Sequence, residues 1–193
     1  ELRDRGIRTH IMIMTPELSV AETLFSPHLA PEVYSLELLE GLAERARGAG
    51  LSAFPIHIKV DSGMHRLGFA PSELSAVGTY LREHPELRVS SVFSHLASAD
   101  EPELRAFTEG QAKAFLSATE LLSEALGYQP KRHLLNTAGI ERFPEYALDM
   151  ARLGIGLYGI SPTNYPGIEP IARLSTVILP TRELPAGEAV GYG

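Results

Sequence analysis

Apolar and polar side chains alternate through Ile56-His57-Ile58-Lys59-Val60, and the alternation stops at Ser62-Gly63. A two-residue period ending on a turn pair predicts a strand over 56–60. Similar short strands are expected at His10–Met14, ended by Thr15-Pro16, at Glu32–Tyr34, at 88–94, and at Lys131–Leu135, which stops on Asn136-Thr137-Ala138. Between them the period lengthens to that of a helix. Residues 35–49 place Leu36, Leu39, Leu42, Ala43 and Ala46 on one face, with Ser35 as the capping residue. Pro71–His84 does the same with Leu74, Val77 and Leu81, and Pro71 suits a first turn. Glu103–Leu126 is a long amphipathic segment carrying Phe107, Ala114, Leu121, Leu122 and Ala125, closed by Gly127. Residues 1–6 read as a last helical turn ended by Gly6, and Pro16–Leu29 as loop or short helix.

Strand and helix alternate with short connections, the pattern of a parallel sheet. Several strands end on polar groups: Lys59 with Arg66, His95, and His133 with Asn136. Functional groups supplied by the ends of many strands favour a barrel over a doubly wound sheet, which gathers them at one switch point. Five or six strands are counted, so the expected fold is α/β, an incomplete (β/α)8 TIM barrel with its first strands missing. The texture changes after Pro162. Residues 162–170 are rich in Pro, Gly and Asn; an alternating run, Ile171–Leu179, and a turn at Pro185–Glu188 follow without a helix. The expected division is a barrel over 1–165 and the start of a mostly β domain over 166–193. The beginning at Glu1 and the end on Val190-Gly191-Tyr192-Gly193 both read as interruptions, so an internal segment of a longer protein is expected.

Composition removes several classes of function. The net charge is −7 and there is no basic run, so a nucleic-acid face is not expected. The absence of cysteine excludes disulfides, thiolate chemistry and cysteine metal sites. The apolar runs are too short for a membrane-crossing helix. His57 and Lys59 are two residues apart, and His10, His95 and His133 fall in separate units without clustered acids, so no metal is expected. A serine-hydrolase elbow, G-x-S-x-G, is absent.

Lys59 sits inside an apolar strand and must find a partner or a wet site. Asn136-Thr137-Ala138-Gly139 and Leu153-Gly154-Ile155-Gly156 can offer backbone N–H groups to an anion, or can be tight turns under packed helices. The three glycines within Leu148–Gly159 suit close approach of the backbone to a ligand. Arg152, in the same apolar run, needs an acceptor. It could pair with Asp149, or direct an N–H at a cofactor's ring nitrogen with His133 and Asn136 in support. His95, at a strand end, suits a catalytic or cofactor-stacking role, or that of a satisfied core residue.

His57–Phe69 (HIKVDSGMHRLGF), Ser91–Asp100 (SVFSHLASAD), His133–Gly139 (HLLNTAG), Asp149–Gly159 (DMARLGIGLYG) and Val190–Gly193 (VGYG) resemble, in order and spacing, the motifs of alanine racemase. The details look most similar to the racemases of Bacteroidetes, often fused behind a peptidoglycan amino-acid ligase. The resemblance implies a fold-type III pyridoxal 5'-phosphate enzyme, a (β/α)8 barrel followed by a mostly β domain. It implies a cytoplasmic head-to-tail homodimer that interconverts L- and D-alanine for the bacterial cell wall. Carried over, Lys59 resembles the lysine that is often carbamylated and holds Arg66. Arg66 resembles the arginine that meets the cofactor's phenolic oxygen and the substrate carboxylate. His95 resembles the histidine beside the pyridine ring, Arg152 the arginine facing its nitrogen, and His133 the histidine orienting that arginine. Asn136, Thr137, Gly154 and Ile155 match phosphate-side positions. Tyr192 matches the second-domain tyrosine that acts as a base in the partner subunit's site. The resemblance further implies two bases on opposite faces of Cα, this tyrosine and the lysine that anchors the cofactor.

The sequence departs from that pattern in four respects. The cofactor-anchoring lysine belongs to a strand expected before residue 1; the chain's three lysines are Lys59, Lys113 and Lys131, and none stands at its position. This segment alone is therefore not expected to racemise alanine. The second-domain residues beyond Tyr192 are also missing. Thr137 stands where serine is usual, which keeps the hydroxyl, and Leu153 where proline is common. Competing expectations are a serine or broad-range amino-acid racemase, a non-catalytic pyridoxal-phosphate barrel, and a barrel without cofactor. The change of texture after residue 162, and Tyr192, argue against the non-catalytic barrel; a barrel without cofactor would have to treat Lys59, Arg66, His95, Arg152 and Tyr192 as unrelated packing residues.

Overall fold

The structure, a computed structural model, describes residues 1–25 and 29–192. Five strands, β1 (Ile11–Ile13), β2 (Leu29–Val33), β3 (Phe54–Lys59), β4 (Leu87–Phe93) and β5 (Lys131–His133), form one sheet in chain order. Every pairing is parallel. The helices are α1 (Ala21–Leu24), α2 (Leu36–Gly48), α3 (Leu74–Glu83), α4 (Arg105–Leu126) and α5 (Thr137–Arg142).

The sheet has two chemically different faces. Val33, Ile56, Ile58, Val60, Val89 and Val92 join Leu39, Leu42, Leu74, Leu81, Phe115 and Leu122 of the helices in the apolar core. Glu32, His57, Lys59, Ser91 and His133 are buried but stand outside that core, on the other face. Strict alternation along β4 would put Ser91 and Phe93 on the same side as Val89. A register shift opposite Ile56/His57 resets the parity, pairing Ser91 with His57 and Phe93 with Lys59.

The local signals act as expected at α2. Ser35 accepts a hydrogen bond from the Leu38 N–H at 3.3 Å, Glu37 lies in the first turn, and Arg45 and Arg47 lie in the last. Helix α4 is rotated from the hydrophobic reading. Phe107 and Leu121 are 44% and 40% exposed, whereas Thr108, Gln111, Ala112, Phe115, Ala118, Thr119, Leu122 and Leu126 are buried. Small residues win this face because α3 and α4 touch closely: a Cβ on Gly78 would lie 2.5 Å from that of Ala125. The polar members are satisfied. Thr108 donates to the Ser98 carbonyl, Gln111 accepts from the Ala97 N–H, and Thr119 donates to the Leu116 carbonyl.

Other expectations shift. Strand β2 begins earlier than Glu32 and runs through Pro31, which stands opposite Ile13. Strand β5 ends at His133 rather than Leu135. Residues 1–6 form turns rather than a helical end, with Gly6 at φ +83°. Of the Pro16–Leu29 expectation, 16–25 form a 3-10 turn and α1, Leu29 begins β2, and 26–28 lie outside the described residues. Among the described residues of 162–192 no strand forms over 171–179, and Leu174 is 100% exposed. A single extended segment has no ladder of its own and needs neighbouring strands to pair with.

The loop after β3 is tightly specified. Asp61 Oδ1 accepts from the N–H groups of Gly63 and His65, both at 3.0 Å. Phe69 returns to the strand, donating to the Lys59 carbonyl and accepting from the Asp61 N–H, each at 2.9 Å. Gly68 adopts φ +124°, and a Cβ there would meet Asp61 N at 2.6 Å and the Val60 carbonyl carbon at 2.8 Å. Backbone cannot yield as a side-chain tip can. Gly68→Ala is therefore expected to destabilise the fold by about 3 kcal/mol, combining backbone strain and overpacking. Urea unfolding of wild type and variant measures it; an unchanged midpoint would show that the loop rearranges freely.

Candidate functional site

The polar groups collect where β3, β4 and β5 end. Lys59 is the last residue of β3, Ser94 and His95 follow β4, and His133 ends β5. Met150 bridges to His133 in parallel fashion, which brings Arg152 alongside. The Arg152 N–H donates to the Leu135 carbonyl at 2.9 Å.

The Arg152 guanidinium is the centre of the group. Nη2 donates to the carbonyls of Ser94 at 2.5 Å and Leu134 at 3.1 Å. Nη1 donates to the His133 carbonyl at 3.2 Å and to His133 Nδ1 at 2.8 Å. Nη2 also stands 3.4 Å from His95 Nδ1. Burial lowers the Arg152 pKa to about 10, so the group remains a cation at neutral pH. Of the two alternatives for Arg152, the pairing with Asp149 does not form. Asp149 instead accepts from the Arg132 N–H at 2.7 Å and lies 3.8 Å from Arg132 Nε.

A buried cation forbids its neighbours a second positive charge. Burial first, and then the Arg152 charge, lower His133 to about 3 and His95 to about 4. Lys59 and Arg66 add to the effect on His95. His57 is lowered to about 4, by burial and then by His10. All three imidazoles are neutral at neutral pH.

Lys59 finds the partner its strand position demands. Glu32, buried, brings Oε1 to 3.8 Å from Lys59 Nζ, and its Oε2 accepts from the Thr15 N–H at 2.9 Å. Glu32 Oε1 has no hydrogen-bond partner of its own among the described residues. The ammonium also sits 4.6 Å from the centre of the Phe93 ring. Burial lowers the Lys59 pKa and Glu32 opposes the shift.

The two glycine-containing segments meet. Asn136-Thr137-Ala138-Gly139 is not a free turn but the cap and first turn of α5, with Asn136 Oδ1 accepting from the Gly139 N–H at 2.9 Å. Thr137 Oγ1 accepts from the N–H groups of Gly154 at 3.3 Å and Gly156 at 3.2 Å. A cavity of about 320 Å³ opens there, lined among others by His95, Asn136, Thr137, Arg152, Gly154 and Ile155. One end offers the first N–H groups of a helix, which have no intrahelical acceptor; the other offers a guanidinium. That arrangement suits an anionic ligand with a flat polar ring. A larger cavity of about 510 Å³, near the amino ends of β4 and β5, is lined by His10, His57, Lys131 and Met150 but holds none of the predicted site residues.

The fold thus gathers Lys59, His95, His133, Asn136, Thr137, Arg152, Gly154 and Ile155. Arg66 is exposed on the loop after β3, close enough for its charge to act on Lys59 and His95. Tyr192 is fully exposed and lies outside the cavity lining, and Gly193 of its motif lies outside the described residues. Sequence reasoning did not single out Glu32 or Ser91. Glu32 had a signal, an acid next to valine in a predicted strand. Ser91 had none, because the register shift that turns it inward leaves no mark in composition.

The buried histidines give a pH prediction. Their folded pKa values lie below the unfolded value near 6.5, so the unfolded state binds more protons between about pH 4 and 6.5. Stability should be fully present above pH 6.5 and fall as pH drops through that window, by about 3 kcal/mol per pH unit if His57 and His133 both charge on unfolding. Urea midpoints at pH 7, 6 and 5 measure it, and a flat profile would mean that these rings are solvated.

Residues 1–162 match the family described as alanine racemase, N-terminal domain. An alanine racemase of Sorangium cellulosum is 36% identical over 200 residues, covering 100% of this chain and 52% of that protein. Alanine racemase 1 of Oceanobacillus iheyensis is 35% identical over 203 residues, covering 100% and 52%. The chain spans about half the length of the curated relatives it matches. Among solved structures, the alanine racemase of Clostridium difficile superposes with a TM-score of 0.79 at 30% identity, over 88% of this chain and 45% of that one. The Corynebacterium glutamicum alanine racemase gives 0.78 at 27% identity, over 88% and 48%. The Bacillus anthracis alanine racemase with bound L-Ala-P gives 0.76 at 30%, over 88% and 45%. The five-stranded parallel sheet is accordingly part of a (β/α)8 barrel, and the chain belongs to the alanine racemase family through its N-terminal domain.

Proposed function

We propose that this chain is the cofactor-binding barrel of a cytoplasmic alanine racemase, which interconverts L- and D-alanine with pyridoxal 5'-phosphate for cell-wall synthesis. The observation that carries the reading is how Arg152 is used. Its terminal nitrogens are spent on Ser94, Leu134 and His133, which leaves Nε–H to face a ligand in the cavity that Arg152 lines.

The residues present fit the cofactor. The first turn of α5, with Thr137 drawing Gly154 and Gly156 against it, would hold the phosphate. Apart from its chain neighbours, no protein atom lies within 4 Å of a Cβ built on Gly154, so the backbone there is open to close approach. Ile155 and Asn136 would flank it, and His95 would stand beside the ring. When bound, the cofactor would supply an electron-withdrawing ring that makes the α-proton of alanine acidic. Arg152 would donate a hydrogen bond to the ring nitrogen without surrendering a proton, because a guanidinium is not an acid at neutral pH. Restraint of that kind favours return of the proton to Cα over transamination. Arg66, exposed at the rim, would meet the substrate carboxylate. Tyr192 would move a proton at Cα in the partner subunit of a head-to-tail homodimer, in keeping with its exposure on this chain. The opposite base would come from outside this segment. Residues 166–193 would open the second, mostly β domain, whose neighbouring strands would pair the segment after Ile171.

Lys59 is best read as an ammonium. A carbamate there would set a second anion against Glu32, whose Oε1 is already 3.8 Å from Nζ. Whole protein equilibrated with ¹³C-bicarbonate should show no carbamate carbon resonance, whereas Glu32→Gln should acquire one. A resonance in the wild type would overturn this assignment. For Arg152, Arg152→Glu in the whole protein should raise pyruvate formation severalfold relative to D-alanine formation. An unchanged product ratio would remove Arg152 from its assigned role.

A further inference from the structure

His133 touches Arg152 through one nitrogen and reaches deeper into the sheet through the other. His133 Nε2 is 2.8 Å from Ser91 Oγ, and Ser91 Oγ is 2.6 Å from His57 Nδ1. All three side chains are buried. We infer that Ser91 and His57 are positioning residues that hold His133 in the one tautomer Arg152 can accept. The inference rests on the role of Arg152 given above.

The direction of every hydrogen in this chain follows from Arg152. A guanidinium has donors only. Since Nη1 meets His133 Nδ1 at 2.8 Å, that nitrogen presents a lone pair. A neutral His133 then carries its hydrogen on Nε2 and donates it to Ser91 Oγ. The Ser91 hydroxyl hydrogen is left to donate to His57 Nδ1, and His57 carries its own hydrogen on Nε2. The reverse direction fails. If Ser91 donated to His133 Nε2, His133 would bear hydrogen on Nδ1 and oppose it to an Arg152 donor.

Ring orientation is fixed separately. His133 stacks on Phe93 with centroids 4.9 Å apart and planes 4° apart. The ring plane is held, and the open question for His133 is which nitrogen is protonated. Arg152 favours the Nε2–H tautomer, and Ser91 supplies the buried acceptor without which that hydrogen would go unsatisfied. The groups acting electrostatically on His133 are Arg152, His57 and Lys59, and His10 acts on His57. All of them favour neutral rings, which the arrangement requires.

The test uses whole protein labelled with ¹⁵N-histidine and two-bond ¹⁵N–¹H correlation spectra at pH 7, with no need for activity. Wild type should show both His57 and His133 as Nε2–H tautomers. Ser91→Thr, which keeps the hydroxyl, should preserve the pattern. Ser91→Ala should give His133 a mixture of tautomers, a loss of about ten- to a hundredfold in kcat with little change in KM for alanine, and more pyruvate per D-alanine formed. A wild-type His133 protonated on Nδ1, or a Ser91→Ala variant with an unaltered His133 tautomer, would overturn the inference. A tautomer shift with an unmoved product ratio would uphold the relay and overturn the reading of Arg152, so the two fail separately.

Discussion

A cation without a carboxylate governs this half of the barrel. Arg152 is stabilised by three backbone carbonyls and one imidazole rather than by an acid. Carbonyls satisfy its hydrogen bonds without carrying a countercharge, and the Glu32 carboxylate acts on it only from a distance. Neighbouring groups must then be neutral, negative, or paired with an anion. His95 and His133 are held neutral by burial and by that charge. Lys59, the other buried cation, is accompanied by Glu32. Phe93 is a neighbour of both cations, with Lys59 Nζ 4.6 Å and the Arg152 guanidinium carbon 5.2 Å from its ring centre. The electron-rich face of an aromatic ring is a tolerable neighbour for both.

Much of this was legible before any coordinates. The strand ends that carry Lys59, His95 and His133 follow from alternation and from the turn pairs that interrupt it. The cap at Ser35 follows from residue type and spacing. The convergence of Asn136-Thr137 with Gly154-Ile155 did not follow from the pattern; it entered with the resemblance, and the hydroxyl of Thr137 shows how two segments separated in sequence are tied. What escaped has a common cause: it depends on tertiary contacts that override the one-dimensional signal. Pro31, just before the expected strand, stands inside β2. The buried stripe of α4 runs through Thr108 and Gln111 because polar atoms there find partners, while larger apolar residues on neighbouring positions face outward. The Asp149–Arg152 spacing suits an ion pair, but the carbonyls of Ser94, His133 and Leu134 reach the guanidinium instead.

The site is assembled from many short pieces, each fixed by its own local constraint. Gly68 lets the loop after β3 fold back onto the Lys59 backbone. Gln111 of α4 reaches across to the Ala97 N–H and so steadies the segment after His95. Asn136 caps α5 while its amide donates to the Leu96 carbonyl. No single element carries the chemistry, which is why it sits at the rim where strands end.

The register shift in β4 has an evolutionary corollary. Its first half gives alternate side chains to the helices, and its second half gives the same parity to the interior. Strand identity is then less constrained than strand length. Many substitutions at Ser90 can be absorbed by an irregularity in the backbone. Loss of Ser90 would leave Ser91 opposite His57, whereas loss of a residue after the shift, such as Val92, would put Phe93 in its core position and carry His95 off its station. Past the shift, drift should accordingly proceed by replacement and almost never by insertion or deletion.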